Sequence, residues 1–299
     1  NYRPGAMDRL GLDYESLAAT NPRLIYCSAK GFLKGPYEKR TALDEVAQMM
    51  GGLAYMTGPP GRPLRAGSSV VDITGGMFGV IAVQAALEER HRTGKGQKVQ
   101  SALFETTVYL IAQHMAQMAV TGNAAAPMPA RISAWAVYDV FETKDEPVFI
   151  GVVTDSLWEK FCALFGLDEL WADEALRANN VRVQARDRIM PVIRDMLKGY
   201  TSAEIIAKLE GTGLPFAPIA RPEDMFDDPH LNASGGLEPV LLPDGRETKL
   251  PLLPIEMGGR RLGNSPQIPP VGADTDTLLA GLGYNAEQIA SLRTGGAVE

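Results

Sequence analysis

Residues 77–87 read MFGVIAVQAAL, apolar nearly all round. A helix of that kind has to be covered on more than one side, so it belongs inside a layered fold. Charged residues carry it out to solvent over 88–92, and Gly94 is placed to end it. The flanking sequence adds the constraint. "SSVVDI" (68–73) before it and "QKVQSALF" (97–104) after it both read as strands. An earlier run, "RLIYCSA" (23–29), follows the helix-like "DYESLAAT" and reads as a further strand. Strand, helix and strand in this order predict a parallel α/β unit, because parallel neighbours need a crossover between them.

The texture changes along the chain. Residues 121–135, TGNAAAPMPARISAW, are rich in Ala, Pro and Gly and read as a linker. "AVYDVFETKDEPVFIGV" predicts a hairpin turning at 144–146. Three amphipathic segments follow, "DSLWEKFCALFG", "RDRIMPVIRDMLKGY" and "TSAEIIAKLEGTG". In the last, Thr201 or Ser202 can cap and Glu204 sits in the first turn. From Arg221 to Pro270 the chain is loop-rich and proline-rich, and it closes on the helix pair "TDTLLAGLG" and "NAEQIASLRTGG".

Composition removes several functions. A net charge of −7 argues against nucleic acid and anionic membrane surfaces as main partners. The chain has 2 cysteines, Cys27 and Cys162, far apart in sequence, which does not indicate a disulfide framework. Its 3 histidines form no cluster with them, so no zinc site is expected. No apolar run is expected to reach the roughly 18 residues that a membrane span needs. "GGRRLGNS" (258–265) has phosphate-loop spacing, but Asn264 stands where lysine is required.

The residue that stands out is Asp72. On this reading it lies at the end of a strand, just before a helix N-terminus, with Gly75 and Gly76 in the turn. The helix dipole there favours the carboxylate form. Strand carboxyl ends in α/β sheets are also where ligands bind. The glycines would let a substrate approach a backbone whose N–H groups can hold an oxyanion. The alternative is structural: Asp72 caps the helix and the glycines turn the chain.

The stretch "VVDITGGMFGVIAVQAALEERHRTGKGQKVQSALFET" (70–106) resembles the central motif of the class III, CaiB/BaiF-type CoA-transferases, the formyl-CoA transferase and carnitine CoA-transferase group. "NYRPGAMDRLGLDYESLAATNPRLIYCSAKGF", "GPYEKRTALDEVAQMMGGLAYMTG" and the C-terminal "PPVGADTDTLLAGLGYNAEQIASLRTGGAV" resemble further segments of that family. The resemblance implies an α/β fold. A Rossmann-like large CoA-binding domain would occupy 1–120, with its N-terminal part missing from this sequence. A linker would follow at 121–137 and a small α+β domain at 138–220. Residues 221–299 would return to the large domain and supply its C-terminal helices. Two subunits would interlock as rings in a homodimer.

The resemblance also implies a chemistry. The family's catalytic Asp matches Asp72, which would be acylated by an acyl-CoA, pass through a mixed anhydride and an aspartyl-CoA thioester, and deliver CoA to an acceptor acid. A carboxylate suits this exchange, because its acyl adduct stays reactive. It would have to be ionised and shielded from water. Coenzyme A and acyl-CoA enter as substrates, with no covalently bound cofactor and no metal. The CoA contacts of the family map to Asn1, Arg3 and Arg9, and arginine suits phosphate through its forked donors. Arg3 and Arg9 read equally as solvated surface charge without the resemblance. Asp44 and Gln48 fall in the segment that would line the site, or else cap and pack a helix. Gly75 and Gly76 would admit the acyl group.

The same superfamily contains 2-methylacyl-CoA racemases, which pair the Asp with a His just before a second Asp. Here Asp44 matches that second Asp, and Leu43 stands where the His would be. Proton exchange at an α-carbon needs a second base, so transfer is favoured over racemisation. A non-catalytic CoA-binding homologue is the third possibility. The run of four glycines found in formyl-CoA transferases has no counterpart around "APMPARISAW", which points from formyl and oxalyl groups to a pair such as succinyl-CoA with an itaconate- or glutarate-like acceptor. Arg65 or Arg131 would bind the distal carboxylate, or be surface charge. The expected location is cytoplasmic, with a mitochondrial or peroxisomal matrix as alternatives.

Overall fold

The computed structural model describes residues 1–131, 133–263 and 268–299, so Asn264 and Ser265 of the phosphate-loop look-alike lie outside the described residues. The chain divides into two compact units, Asn1–Ala134 and Trp135–Glu299.

The first unit begins with the short helices α1 (Ala6–Arg9) and α2 (Tyr14–Thr20), then strand β1 (Tyr26–Lys30). Helices α3 (Asp44–Met50), α4 (Leu53–Thr57) and α5 (Val70–Thr93) follow, then β2 (Lys98–Ala102), α6 (Leu103–Leu110) and α7 (Ala112–Thr121). Strands β1 and β2 pair in parallel from Tyr26↔Lys98 to Lys30↔Ala102, with α5 in the crossover. A parallel α/β unit is therefore present, but its first strand is 26–30 and not the expected 68–73.

One expected strand is absent. "SSVVDI" opens α5, whose first residue is Val70. Gly75 and Gly76 consequently sit inside a helix, not in a turn. A helix needs partners for its first N–H groups. The Ser69 side chain makes no capping bond, and the partner comes from a distant residue described below. Local sequence cannot show that.

The glycines of α5 have separate uses. Val71, Gly75 and Gly79 are buried and spaced four apart, which puts them on one face. A Cβ at Gly75 would come within 3.3 Å of Leu103 Cδ2, and one at Gly79 within 3.7 Å of Cys27 Sγ. Glycine here lets the helix lie close on the strands, against a propensity cost of about 1 kcal/mol per residue. Gly94 ends the helix as expected, at φ 75° with its N–H donated to Arg90 O.

The other face of α5 departs from expectation. Met77, Val80 and Ile81 are each close to 60% exposed in this chain. The helix also contains a window of mean hydropathy 1.7 that is long and apolar enough to cross a membrane, contrary to the sequence reading. A core helix passes the same test of length and composition, and α5 runs in the crossover of a parallel strand pair.

In the second unit, β3 (Tyr138–Phe141) and β4 (Val148–Gly151) form the expected hairpin. Helices α8 (Asp155–Phe165), α9 (Asp168–Ala172), α10 (Asn179–Gln184), α11 (Arg186–Leu197) and α12 (Ser202–Leu209) follow, and β5 (Phe216–Pro218) completes the sheet beside β4. Trp158, Phe161, Ile189, Ile193, Leu197, Ile205 and Leu209 are fully buried together behind this sheet. Each such side chain contributes about 1.5–3 kcal/mol. Thr201 and Glu204 cap α12 reciprocally, as the sequence predicts. Beyond α13 (Pro229–Ala233), β6 (Leu237–Leu241) and β7 (Glu247–Pro251) make a second hairpin. The closing pair α14 (Thr275–Gly281) and α15 (Ala286–Thr294) is tied by Arg293 to Asp276 at 2.9 Å.

Candidate active site

Asp72 is the third residue of α5, not a strand end. Its backbone N–H is one of the orphan donors of the first turn. The carboxylate of Asp44, the first residue of α3, takes that donor and its neighbour: Asp44 Oδ1 accepts from Val71 N at 2.9 Å and from Asp72 N at 3.2 Å. Asp44 is thus the cap of a helix that begins 26 positions later by sequence number (70 − 44). Its other oxygen, Oδ2, accepts from Gln48 Nε2 at 2.5 Å, and Gln48 Oε1 accepts from Ala66 N at 2.8 Å. Residues 44 and 48 are one helical turn apart and face the same way. Both are buried, Asp44 to 4% exposure and Gln48 to 0%.

A second tie lies outside the first. The Arg65 guanidinium pairs with Glu45 on α3, while its Nε donates to Ala66 O at 3.0 Å. The loop entering α5 is therefore fastened to α3 at Ala66 and at Arg65.

These groups define the electrostatics of Asp72. Burial raises its pKa above the ordinary aspartate value, and the negative charges of Asp44 and Glu45 raise it further, with Arg65 opposing them. The direction is opposite to the one expected from the helix dipole, and Asp44 occupies the N–H groups of Val71 and Asp72. Glu45 itself is held low by its own backbone N–H first and by Arg65 second.

The burial of Asp72 is only partial, because it is an exposed residue within this chain. One turn on, Gly76 is exposed, and a Cβ built there would meet nothing within 4 Å. Ile73 and Met77 flank the pair, 57% and 58% exposed. The carboxylate thus borders open, apolar, side-chain-free space. Gly75 faces the other way, and its carbonyl accepts from Ser101 Oγ at 2.6 Å. The N–H groups of both glycines belong to the helical ladder. Gly76 offers room beside the acid rather than a hydrogen bond to a substrate.

Asn1, Arg3 and Arg9 are exposed at the start of the chain. Among the described residues nothing joins them to the Asp72 cluster. Arg131 is also exposed and acts on His114, whose pKa is lowered by burial first and by Arg131 second. No histidine contributes to the electrostatics of Asp72. Leu43, 62% exposed, occupies the position before Asp44. Among the described residues no cluster of His, Cys, Asp and Glu could hold a metal.

Residues 1–275 match the model of CoA-transferase family III. The chain belongs to that family. Among the relatives of this family III chain is an acetyl-CoA:oxalate CoA-transferase of Acetobacter aceti, 35% identical over 73% of the chain and 57% of the relative. Another is a succinyl-CoA:glutarate CoA-transferase of Mus musculus, 28% identical over 100% of the chain and 69% of the relative. A solved CaiB/BaiF family protein from Brucella suis superposes with a TM-score of 0.82 at 33% identity, over 94% of the chain and 74% of that structure. The family III chain spans 57% and 69% of the length of these two curated relatives.

Two members of the site were invisible in the sequence reading: Glu45 and the backbone of Ala66. The four-residue spacing of Asp44 and Gln48 was the available signal. It announces a shared helix face but not what that face holds.

Proposed function

We propose that the family III chain is the Asp72-bearing part of an enzyme that transfers CoA from an acyl-CoA donor to a carboxylic acid. The observation that carries this is the Asp72 carboxylate, fixed by its backbone in the first turn of α5 and bordered by the open surface over Gly76. A nucleophile needs a fixed base and an accessible tip, and Asp72 has both.

In the reaction, an Asp72 oxygen attacks the thioester carbonyl and expels CoA thiolate, leaving a mixed anhydride. The thiolate attacks the aspartyl carbonyl and releases the donor acid, leaving an aspartyl-CoA thioester. An acceptor carboxylate attacks that thioester, again expelling thiolate. The thiolate then takes the acceptor's acyl carbonyl, and Asp72 leaves as a carboxylate. Bonds and charges balance, and no proton or redox partner is needed.

The relatives named above act on oxalate and on glutarate. A dicarboxylate acceptor with succinyl-CoA as donor is the reading we favour, and Arg65 is the cation nearest to hand for a distal carboxylate. Asn1, Arg3 and Arg9 are proposed for the CoA phosphates. A Rossmann-like large domain and an interlocked homodimer would complete the site and cover the apolar face of α5. Racemisation is disfavoured by Leu43 and by the lack of histidine among the groups acting on Asp72.

The test is covalent. The protein is incubated with succinyl-CoA and hydroxylamine, digested, and read by mass spectrometry. A hydroxamate at Asp72 supports transfer. Exchange of the α-proton in deuterated water without acyl transfer would support racemisation instead, and CoA binding with neither would leave a non-catalytic homologue.

A further inference from the structure

We infer that the Asp44–Gln48 pair is a positioning element for Asp72 and not a ligand of the coenzyme. The inference rests on the proposed role of Asp72. Each interaction of the pair is with the protein itself. Asp44 Oδ1 holds Val71 N and Asp72 N, Asp44 Oδ2 holds Gln48 Nε2, and Gln48 Oε1 holds Ala66 N. At 4% and 0% exposure neither side chain is presented to a ligand.

The pair grips both sides of the turn that carries Asp72. Ala66 lies before α5, and Val71 and Asp72 lie in its first turn. The local cap, Ser69, contributes no side-chain bond, so the N-terminus of α5 takes its direction from α3. Helix α3 is in turn seated on α6, where a Cβ at Gly51 would fall 2.4 Å from Thr107 Cγ2. A displacement of about 1 Å at a reacting group can cost about a hundredfold in rate, which is the leverage such a clamp has.

Charge also matters. The charged groups acting on Asp72 are Asp44 and Glu45 from α3 and Arg65 from the entry loop. On the packed side of α5, the groups nearest Gly75 are Leu103, Thr106 and Ser101, all uncharged. Removing the Asp44 charge therefore makes Asp72 easier to ionise.

The experiment compares the full chain with Asp44→Ala, Asp44→Asn and the exchange Asp44→Asn/Gln48→Glu, assaying CoA transfer from succinyl-CoA against pH. Hydroxylamine trapping of the parent comes first; if Asp72 is not modified there, the role of Asp72 and this inference fall together. With a trapped parent, Asp44→Ala is expected to lower kcat about ten- to hundredfold while KM for succinyl-CoA moves less than about twofold. The exchange keeps each hydrogen bond with donor and acceptor reversed between 44 and 48. It is expected to restore kcat to within about threefold of the parent, while Asp44→Asn, which removes the charge, is expected to shift the acid limb of kcat/KM to lower pH. A purely packing role would not move that limb. A raised KM with unchanged kcat would make the pair a coenzyme ligand and overturn the inference. So would a folded exchange variant as slow as Asp44→Ala, a readout that survives if Asp44→Ala does not fold.

Discussion

The Oδ1 atom of Asp44 accepts the backbone N–H of Asp72 at 3.2 Å, joining residues 28 positions apart. An acid thus holds the main chain of a second acid while its charge raises the second acid's pKa. One side chain acts on both the position and the pKa of Asp72, and the following outcomes are expected from it and from the surrounding packing.

Asp72→Asn keeps the shape of the first turn and its backbone bonds. It is expected to abolish hydroxamate formation and to slow CoA transfer by at least about a thousandfold. Circular dichroism of the variant should match the parent. Transfer at the parent's rate would end the proposed mechanism.

The same variant has a signed effect on stability. The folded-state pKa of Asp72 is raised, so the protonated group is favoured by folding and that contribution fades as pH rises through the folded pKa. Asp72→Asn, which cannot ionise, should therefore be more stable than the parent near neutral pH. The difference should vanish below the ordinary aspartate range. Urea midpoints at pH 3 and pH 7 measure it.

Arg65→Gln removes a cation that opposes the raised pKa, so the acid limb of kcat/KM is expected to move up. Glu45→Gln should move it down, because Glu45 raises the Asp72 pKa. Shifts of the same sign for both would show that the limb belongs to another group. Both shifts should shrink as salt is added, since Arg65 and Glu45 are 34% and 49% exposed.

Two glycines separate room for substrate from room for packing. Gly76→Ala places a methyl in open space on a helix and should raise stability by about 0.5–1 kcal/mol, yet lower the transfer rate by narrowing the approach to Asp72. Gly51→Ala would press on Thr107 Cγ2 and should cost about 1–3 kcal/mol. Thermal melts and rates on the two proteins check both signs.

In the second unit, Arg182 is 1% exposed and donates to Leu176 O and Arg177 O at 2.7 Å each and to Asp155 Oδ1 at 2.6 Å. Arg182→Ala strands those acceptors and should destabilise the protein by about 3–5 kcal/mol, read by denaturant unfolding.

Much of the fold follows from chemistry written within a few residues. Gly94 ends α5 because glycine accepts φ 75° without a Cβ penalty. Thr201 and Glu204 start α12 because each satisfies the other's backbone N–H. The alternation of 97–104 yields β2, and the turn at 144–146 yields the β3–β4 hairpin. Residues 68–73 failed as a strand because Val70, Val71 and Ile73 carry a β-like pattern whose helical alternative is stabilised from outside the segment. The burial expected of α5 held only for its Val71–Gly75–Gly79 face.

The amino-acid sequence determined the family and singled out Asp72, since both are carried by residue types at short spacing. Tertiary structure alone decided that Asp72 sits in a helix, that Asp44 and Gln48 hold it there, and that Gly76 is open where Gly75 is packed. The reason is the range of the forces. Turn, cap and periodicity act over one or two turns of chain. A carboxylate that caps a helix beginning 26 positions away acts only after α3, α5 and α6 have packed and excluded water from the bond.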